Sequence, residues 1–378
     1  MRVTPLFSAW IFALILFEPC ELSYCGESTE ASAVTARAQA VIDEYVKREM
    51  DSQRIPGLSL AVVRAGKLVQ AKGYGKASLE LDAPATAATL YGLGSISKQF
   101  TATAVMLLVE DRKIGLDDSL TNYFSWVPKE WSKVTVRHLL THTSGIREEE
   151  WKGGVLEFDR FEHSQEEVVR TAFGPTLASP GEKFHYSNVG YRLLGMLVEK
   201  ASGQSYWTFL EQRIFRPLEM EATRNSDPKT VIPNRARGYG MSDNQHVNRE
   251  PVTASSAFAQ GALISSILDM AKWDSALNSK NLLTRASLDQ MWTPVRLNDG
   301  TTYNYGFGWY LRPIPGHTTV AHGGGLPGFA TTIWKFIDDQ LTVIVLSNCE
   351  TADTMRIGLG VAGLYVPALL SPEVKKQL

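Results

Sequence analysis

Cysteine is scarce in this chain: three in 378 residues, at positions 20, 25 and 349. So few exclude a disulfide framework, and their spacing lacks the paired cysteines of a zinc site. An excess of one charge is missing too. With 38 Lys and Arg against 40 Asp and Glu, the net charge of −2 offers no basic field, so no nucleic-acid partner is expected. No Gly-x-Ser-x-Gly occurs, which removes support for an α/β-hydrolase nucleophile elbow. Linkers, repeats and low-complexity segments are also lacking. What is present is ordinary globular composition, 44% hydrophobic and 21% charged, in a chain long enough to bury a core.

The apolar stretch from Leu6 to Phe17, twelve residues, is too short to span a bilayer as a helix. It has the length of a signal-peptide core, preceded by Arg2 and followed by Glu18-Pro19, and Ser23-Tyr24-Cys25 offers small residues at −3 and −1 for cleavage before Gly26. Residues 1–25 are therefore expected to be an export signal. The mature protein would be secreted or periplasmic and would meet a membrane only transiently, during export. An uncleaved anchor is the alternative; Tyr24 is bulky for the residue before a lipidated cysteine. Cys349, beside the apolar run Leu341 to Leu346, reads as a small buried hydrophobe.

Val34, Ala38, Val41, Ile42 and Tyr45 recur at helical spacing. After Pro56-Gly57, Leu58–Val63 and Leu68–Ala71 read as two strands around an Ala65-Gly66 turn. From about Ser95 to Trp292 the spacing is mostly helical. Strands return at Phe307–Leu311, Thr318–Ala321, Phe329–Ile337 and Leu341–Ser347, and residues 353–365 read as a closing helix. This order predicts one α+β domain over residues 34–365. Its sheet region would come from 34–91 and 295–365, its helical region from 92–294, with a tail at 366–378.

Three short patterns carry chemistry. Ser95-Ile96-Ser97-Lys98 follows Gly92-Leu93-Gly94 and opens an amphipathic helix, so Ser95 and Lys98 share one face. A serine needs a base to take its proton, and a lysine serves if burial or a nearby cation lowers its pKa. The bland reading is a helix cap and a solvated lysine. A second Ser-x-x-Lys, Ser226 to Lys229, contains Pro228 and reads as a surface turn. Tyr186-Ser187-Asn188 precedes the periodic Leu193, Leu194 and Leu197 and supplies a phenol and an amide; Tyr186 also reads as a packing residue. His322-Gly323-Gly324-Gly325 lies between strand signals, where a free N–H would help hold an oxyanion, or where the glycines simply make a turn. Gly323–Gly328 spells G-x-G-x-x-G but leads into a strand, so no nucleotide cofactor is expected.

Ser95-x-x-Lys98, Tyr186-x-Asn188 and His322-x-Gly324, in this order, resemble the three active-site motifs of the serine β-lactamase and penicillin-binding-protein superfamily. Val136–Gly145, Tyr305–Trp309 and Val343–Asn348 resemble the branch that includes class C β-lactamases, family VIII esterases and D-aminopeptidases. The resemblance implies an antiparallel sheet flanked by helices, with a mainly helical inserted region and the active site between them. It implies acyl transfer without a cofactor, on a small molecule or short peptide. Ser95 would be the nucleophile, Lys98 and Tyr186 would move protons, Asn188 would orient substrate, and the N–H groups of Ser95 and Gly325 would hold the oxyanion.

One departure bears on substrate. Many relatives carry lysine where this chain has His322, and neutral histidine lacks that fixed charge. An esterase or D-amino-acid peptidase or amidase is therefore expected ahead of a β-lactamase or D-alanyl-D-alanine carboxypeptidase. The rival of another class is a catalytically silent cell-wall-peptide binder. Arg137, Arg147 or Arg237 could restore the missing charge. His138 and His142, four apart, read as helix-end packing in preference to metal ligands, and Glu148-Glu149-Glu150 as a solvated loop. Nothing in the sequence specifies an oligomeric state.

Overall fold

A computed structural model describes residues 27–149, 160–279 and 282–370. The expected export signal, Glu150 and residues 371–378 of the expected tail lie outside them. The chain divides into two units, Met1–Glu44 and Tyr45–Leu378. The described part of the first is the beginning of helix α1 (Glu27–Gln53).

The second unit is built on a seven-stranded sheet. Strands β1 (Gly57–Arg64), β2 (Lys67–Ser78) and β3 (Ala83–Pro84) come from the first part of the chain. Strands β4 (Tyr310–Leu311), β5 (Thr319–Leu326), β6 (Phe329–Phe336) and β7 (Leu341–Ser347) come from the last. The order is β4-β5-β6-β7-β1-β2-β3, antiparallel throughout. Thus β1 pairs with β7, Leu58 opposite Ser347 and Arg64 opposite Leu341, and both chain ends complete one sheet. The β1–β2 hairpin turns on Ala65 and Gly66, both at positive φ, as a two-residue turn matched to strand twist requires. β7 is buried along its whole length, which explains its unbroken apolar run.

Helices cover both faces. On one, α6 (Ile267–Leu277) sends Asp274 to Lys335 of β6 at 2.7 Å and accepts a bond from Thr342 of β7. On the other, α7 (Thr354–Tyr365) receives the Trp334 indole N–H at its Met355 carbonyl. Between β3 and β4 lies the helical region, with α2 (Ser97–Glu110), α3 (Val136–Leu140), α4 (Asn188–Ser202) and α5 (Ala254–Gly261) around the site. Helix α2 is buried on every side from Ser97 to Leu108 and stacks Phe100 on Trp273 of α6, ring centroids 4.2 Å apart. Cys349 is buried, a packing residue as read.

Three expectations change. The strand expected over Phe307–Leu311 is only Tyr310–Leu311. Gly308 has φ +77° and sits against the Lys98 carbonyl, so Tyr305–Trp309 makes a bend that buries Phe307 and Trp309. The strand expected over Thr318–Ala321 runs on to Leu326, and the three glycines lie inside it, because β6 pairs with it throughout, Gly325 opposite Ala330. The helical stretch also holds short strands, Tyr91–Gly92 with Leu263–Ser265 and Arg224–Asn225, and a hairpin of Tyr239–Ser242 with Gln245–Asn248. Two to four residues are too few for a visible alternation.

Candidate active site

Ser95 stands in the 3-10 turn Gly94–Ile96 that leads into α2. It is the one partly exposed residue in a buried run from Tyr91 to Phe100. Gly94 makes the turn possible: its φ is +53°, and a Cβ there would lie 2.6 Å from the Gly325 nitrogen. The serine is thereby held at the end of the glycine strand.

One turn on, Lys98 is fully buried. Its ammonium has three donors and three acceptors: Ser95 Oγ at 3.1 Å, Asn188 Oδ1 at 2.9 Å and the Gln260 carbonyl at 2.9 Å. The rings of Tyr186 and Tyr191 lie 4.8 and 5.5 Å away. Burial lowers its pKa to about 7, against a smaller upward pull from Glu148 and Glu149. Near neutral pH a substantial fraction is therefore free amine, with a lone pair for the serine proton. Tyr186 interacts with Ser95, and burial raises its phenol well above the ordinary range, so it is protonated at neutral pH.

Asn188 is the first residue of α4, whose cap is Ser187, accepting from the Gly190 N–H. The Asn188 N–H donates to Glu148 Oε2 at 3.0 Å. The expected solvated loop is thus a correction: Glu148 folds against the positive end of α4. Gly145, at φ +71°, turns the chain back so that it can. Burial and then Glu149 raise the Glu148 carboxyl to about 7.

The orientation of β5 follows from its pairing. The Arg312 N–H donates to the Thr319 carbonyl, so odd residues of β5 point their N–H and C=O toward β4. β4 ends opposite Ala321, which leaves Gly323 and Gly325 facing the cleft with their backbone groups. Gly324 points the other way, and a Cβ on it would collide with the Leu93 carbonyl oxygen. His322 is 2% exposed, and burial lowers its pKa to about 3. It is uncharged at neutral pH, as histidine at this position was expected to be.

Ser95, Tyr186, His322 and Gly323 line one cleft of about 310 Å³ with Tyr310, Arg312, Ala321 and Met355. Lys98 and Asn188 lie directly beneath through the bonds above. A larger groove of about 1160 Å³, lined by Leu218, Ile232, Leu268 and Ala271 among others, contains none of the motif residues. Of the arginines considered for the missing charge, none lines the site. Arg137 pairs with Asp117 at 2.8 Å, and Arg237 lines a different cleft with Arg235 and Arg249. Arg312 does line it, exposed and 5.0 Å above the Tyr310 ring. Its signal was strand alternation, which puts 310 and 312 on one side of a strand beside His322. His138 closes a capping box with Thr135, while His142 sits beyond the end of α3. Among the described residues no three His, Cys, Asp or Glu side chains gather as a metal site requires.

Comparison with known proteins shows the family and the fold. The family model "Beta-lactamase" matches residues 42–362. Penicillin-binding protein 4* of Bacillus subtilis is 31% identical over 310 residues, 77% of this chain and 68% of that one. An unguisins hydrolase of Aspergillus campestris is 31% identical over 328 residues, 81% of this chain but 60% of its own length. Among solved structures, an octameric penicillin-binding protein homologue from Pyrococcus abyssi superposes with TM-score 0.77 at 29% identity, over 87% of this chain and 77% of that one. The D-amino acid amidase of Ochrobactrum anthropi in complex with L-phenylalanine amide gives 0.73 at 27%, over 91% and 99%. The fold and three ordered motifs lead to one conclusion: the chain belongs to the β-lactamase family of serine hydrolases.

Proposed function

We propose that this hydrolase works through an acyl-enzyme on Ser95 and that its substrates are esters and D-aminoacyl amides. The contact that carries this reading is Lys98 Nζ, 3.1 Å from Ser95 Oγ, in an environment that lowers its pKa to about 7. As Ser95 Oγ bonds to the acyl carbon, its proton passes to Lys98, and the carbonyl oxygen becomes an oxyanion held by the N–H groups of Ser95 and Gly325. The leaving alcohol or amine departs with a proton delivered through Lys98 and Tyr186. Water then adds to the acyl carbon, giving its proton back through the same pair, and Ser95 is released with the acid. Asn188 would orient both the lysine and the substrate carbonyl.

A substrate panel tests the ranking: short-chain p-nitrophenyl esters, D-alanyl p-nitroanilide, a D-Ala-D-Ala peptide and nitrocefin, each with the Ser95→Ala variant as control. Ester and D-aminoacyl turnover should exceed that of nitrocefin, and all of it should vanish in the variant. Dominant nitrocefin hydrolysis would reverse the ranking.

A second reading, a carboxypeptidase on peptides with a free C-terminus, draws support from Arg312. Its guanidinium supplies at the cleft the charge that His322 lacks. On this reading Arg312→Gln raises KM for a carboxylate-ended peptide about tenfold, the scale of one charge-assisted hydrogen bond, and leaves KM for a neutral ester within twofold. Equal effects on both substrates would rule the reading out.

A further inference from the structure

His142 and Tyr305 lie outside the three motifs, yet they connect two of them. His142 follows α3 in the left-handed region, φ +57°, which a non-glycine residue adopts rarely and which clusters at functional sites. Its backbone is tied on both sides, N–H to the Leu139 carbonyl and C=O to the His185 N–H at 2.7 Å. Its ring is fully buried, 4.2 Å from that of Tyr186 and 4.7 Å from that of Tyr305.

Hydrogen-bond directions around this ring are dictated by backbone groups, which have one role each. The Ser187 N–H donates to His142 Nδ1 at 2.9 Å, so Nδ1 carries no proton and the neutral ring carries it on Nε2. That N–H donates to the Tyr305 hydroxyl at 3.1 Å. At the other end, His322 Nδ1 lies 2.6 Å from the Gly323 carbonyl, which only accepts; Nδ1 is therefore the donor and Nε2 the acceptor. His322 Nε2, which has no proton, takes its donor from the Tyr305 hydroxyl at 3.2 Å; the Tyr191 hydroxyl, which donates to the Leu140 carbonyl, is the other group at Tyr305. The chain runs one way: Ser187 N–H, His142, Tyr305, His322, Gly323 C=O. Its first link is the residue between Tyr186 and Asn188. Its last is the glycine whose backbone faces the cleft two residues before Gly325.

We propose that His142 and Tyr305 are positioning residues, which lock the Tyr186–Asn188 turn to the glycine strand and hold His322 in a single neutral tautomer, so that His322 orients the Gly323 peptide and takes no substrate charge. Gly323 and Gly325 share the open edge of β5, so fixing the Gly323 carbonyl anchors the strand one residue before the peptide that carries the Gly325 N–H. The surroundings oppose a charged ring at either histidine. Lys98 of α2 bears on both rings, Arg312 beyond β4 on His322, and His322 on His142. Tyr186, Tyr191 and Tyr310 are phenols that burial keeps protonated, and Glu148 is the carboxyl on this side, bonded to the Asn188 N–H next to Ser187. The role of Gly325 rests on the proposed function; the tautomers do not.

The test uses the full chain labelled with 15N-histidine. Long-range 15N–1H NMR should give the Nε2–H tautomer at His142 and the Nδ1–H tautomer at His322, both unchanged from pH 5 to pH 9. Tyr305→Phe should leave the Nδ1–H of His322 on the Gly323 carbonyl but move the resonance of the unprotonated Nε2, which loses its donor, and should lower kcat about tenfold or more with KM within twofold, a loss of positioning rather than of binding. His142→Asn keeps an acceptor for the Ser187 N–H and tolerates positive φ, but loses the link to Tyr305. It should move the His322 Nε2 resonance in the same direction, because Tyr305 loses the partner that holds it in place, and the double variant should be no worse than either single one. A wild-type His322 that titrates near the ordinary 6.5, or that carries its proton on Nε2, overturns the proposal without reference to activity. So does a Tyr305→Phe enzyme with unchanged His322 resonances. Absence of hydrolysis with the tautomers as stated would count against the acyl-enzyme reading and not against the chain.

Discussion

Lys98→Met should lower kcat/KM on the order of 10³-fold or more, toward the upper end of what a positioned proton acceptor contributes, and still yield a folded protein. Methionine nearly matches the buried stem in length and removes an amine whose burial disfavours its charge. The partners left behind, Asn188 Oδ1 and the Gln260 carbonyl, lose their donor at a cost of about 1–3 kcal/mol in stability, so the rate loss is read on protein shown to be folded by its thermal midpoint. Lys98→Arg should be as inactive, since a guanidinium keeps its proton at every accessible pH. The wild-type enzyme supplies the sign. An ordinary lysine, near 10.4, would be charged at pH 7. Burial brings Lys98 down to about 7, so the free amine accumulates as pH rises through that value. Consequently kcat/KM should climb with pH along an acid limb near 7, and fall away below it. A rate that is flat from pH 5 to pH 9, or a Lys98→Met enzyme retaining a tenth of its activity, would remove Lys98 from the proton path.

Gly324→Ala is the second large effect, and it separates the glycines from one another. A methyl group at 324 enters the space of the Leu93 carbonyl oxygen and the Thr331 hydroxyl, which are themselves bonded at 2.8 Å. Neither can retreat easily: the Leu93 N–H is tied to the Leu263 carbonyl and Thr331 is in β6. β5 must therefore move away from the turn that carries Ser95. Displacing one oxyanion donor costs about 10²–10³-fold in kcat, and overpacking adds roughly 1–3 kcal/mol of destabilisation. At Gly325 a Cβ meets nothing within 4 Å, so Gly325→Ala should be mild. Measuring kcat and thermal midpoints for the pair checks this; equal losses at 324 and 325 would mean that substrate access, and not strand position, is what the glycines provide.

The contrast among these residues explains what could be read before the fold was known. Ser95 and Lys98 are neighbours on one helical turn, so three-residue spacing brought them together on paper. The antiparallel hairpins of β1–β2 and β6–β7 announced themselves through apolar runs and tight turns. His322–Gly325 looked equally like a turn, since glycine is the commonest turn signal; only pairing with β6, a tertiary effect, turns it into strand. Glu148 looked solvated because charge dominates local composition, and its partner is the N–H of a residue forty positions away. His142, Tyr305 and His322 form a chain whose links span 163 and 17 residues. No periodicity encodes such contacts. Arg312 alone among the missed residues left a local trace, its alternation with Tyr310.

The central claim is a covalent bond between Ser95 and the acyl group. Intact-mass analysis of the enzyme quenched with acid during turnover of a p-nitrophenyl ester, followed by peptide mapping, measures it most directly. A mass increase equal to the acyl group, located on the peptide containing Ser95 and absent from Ser95→Ala, is the predicted result. Continued hydrolysis by Ser95→Ala, or an adduct on any other residue, would contradict it.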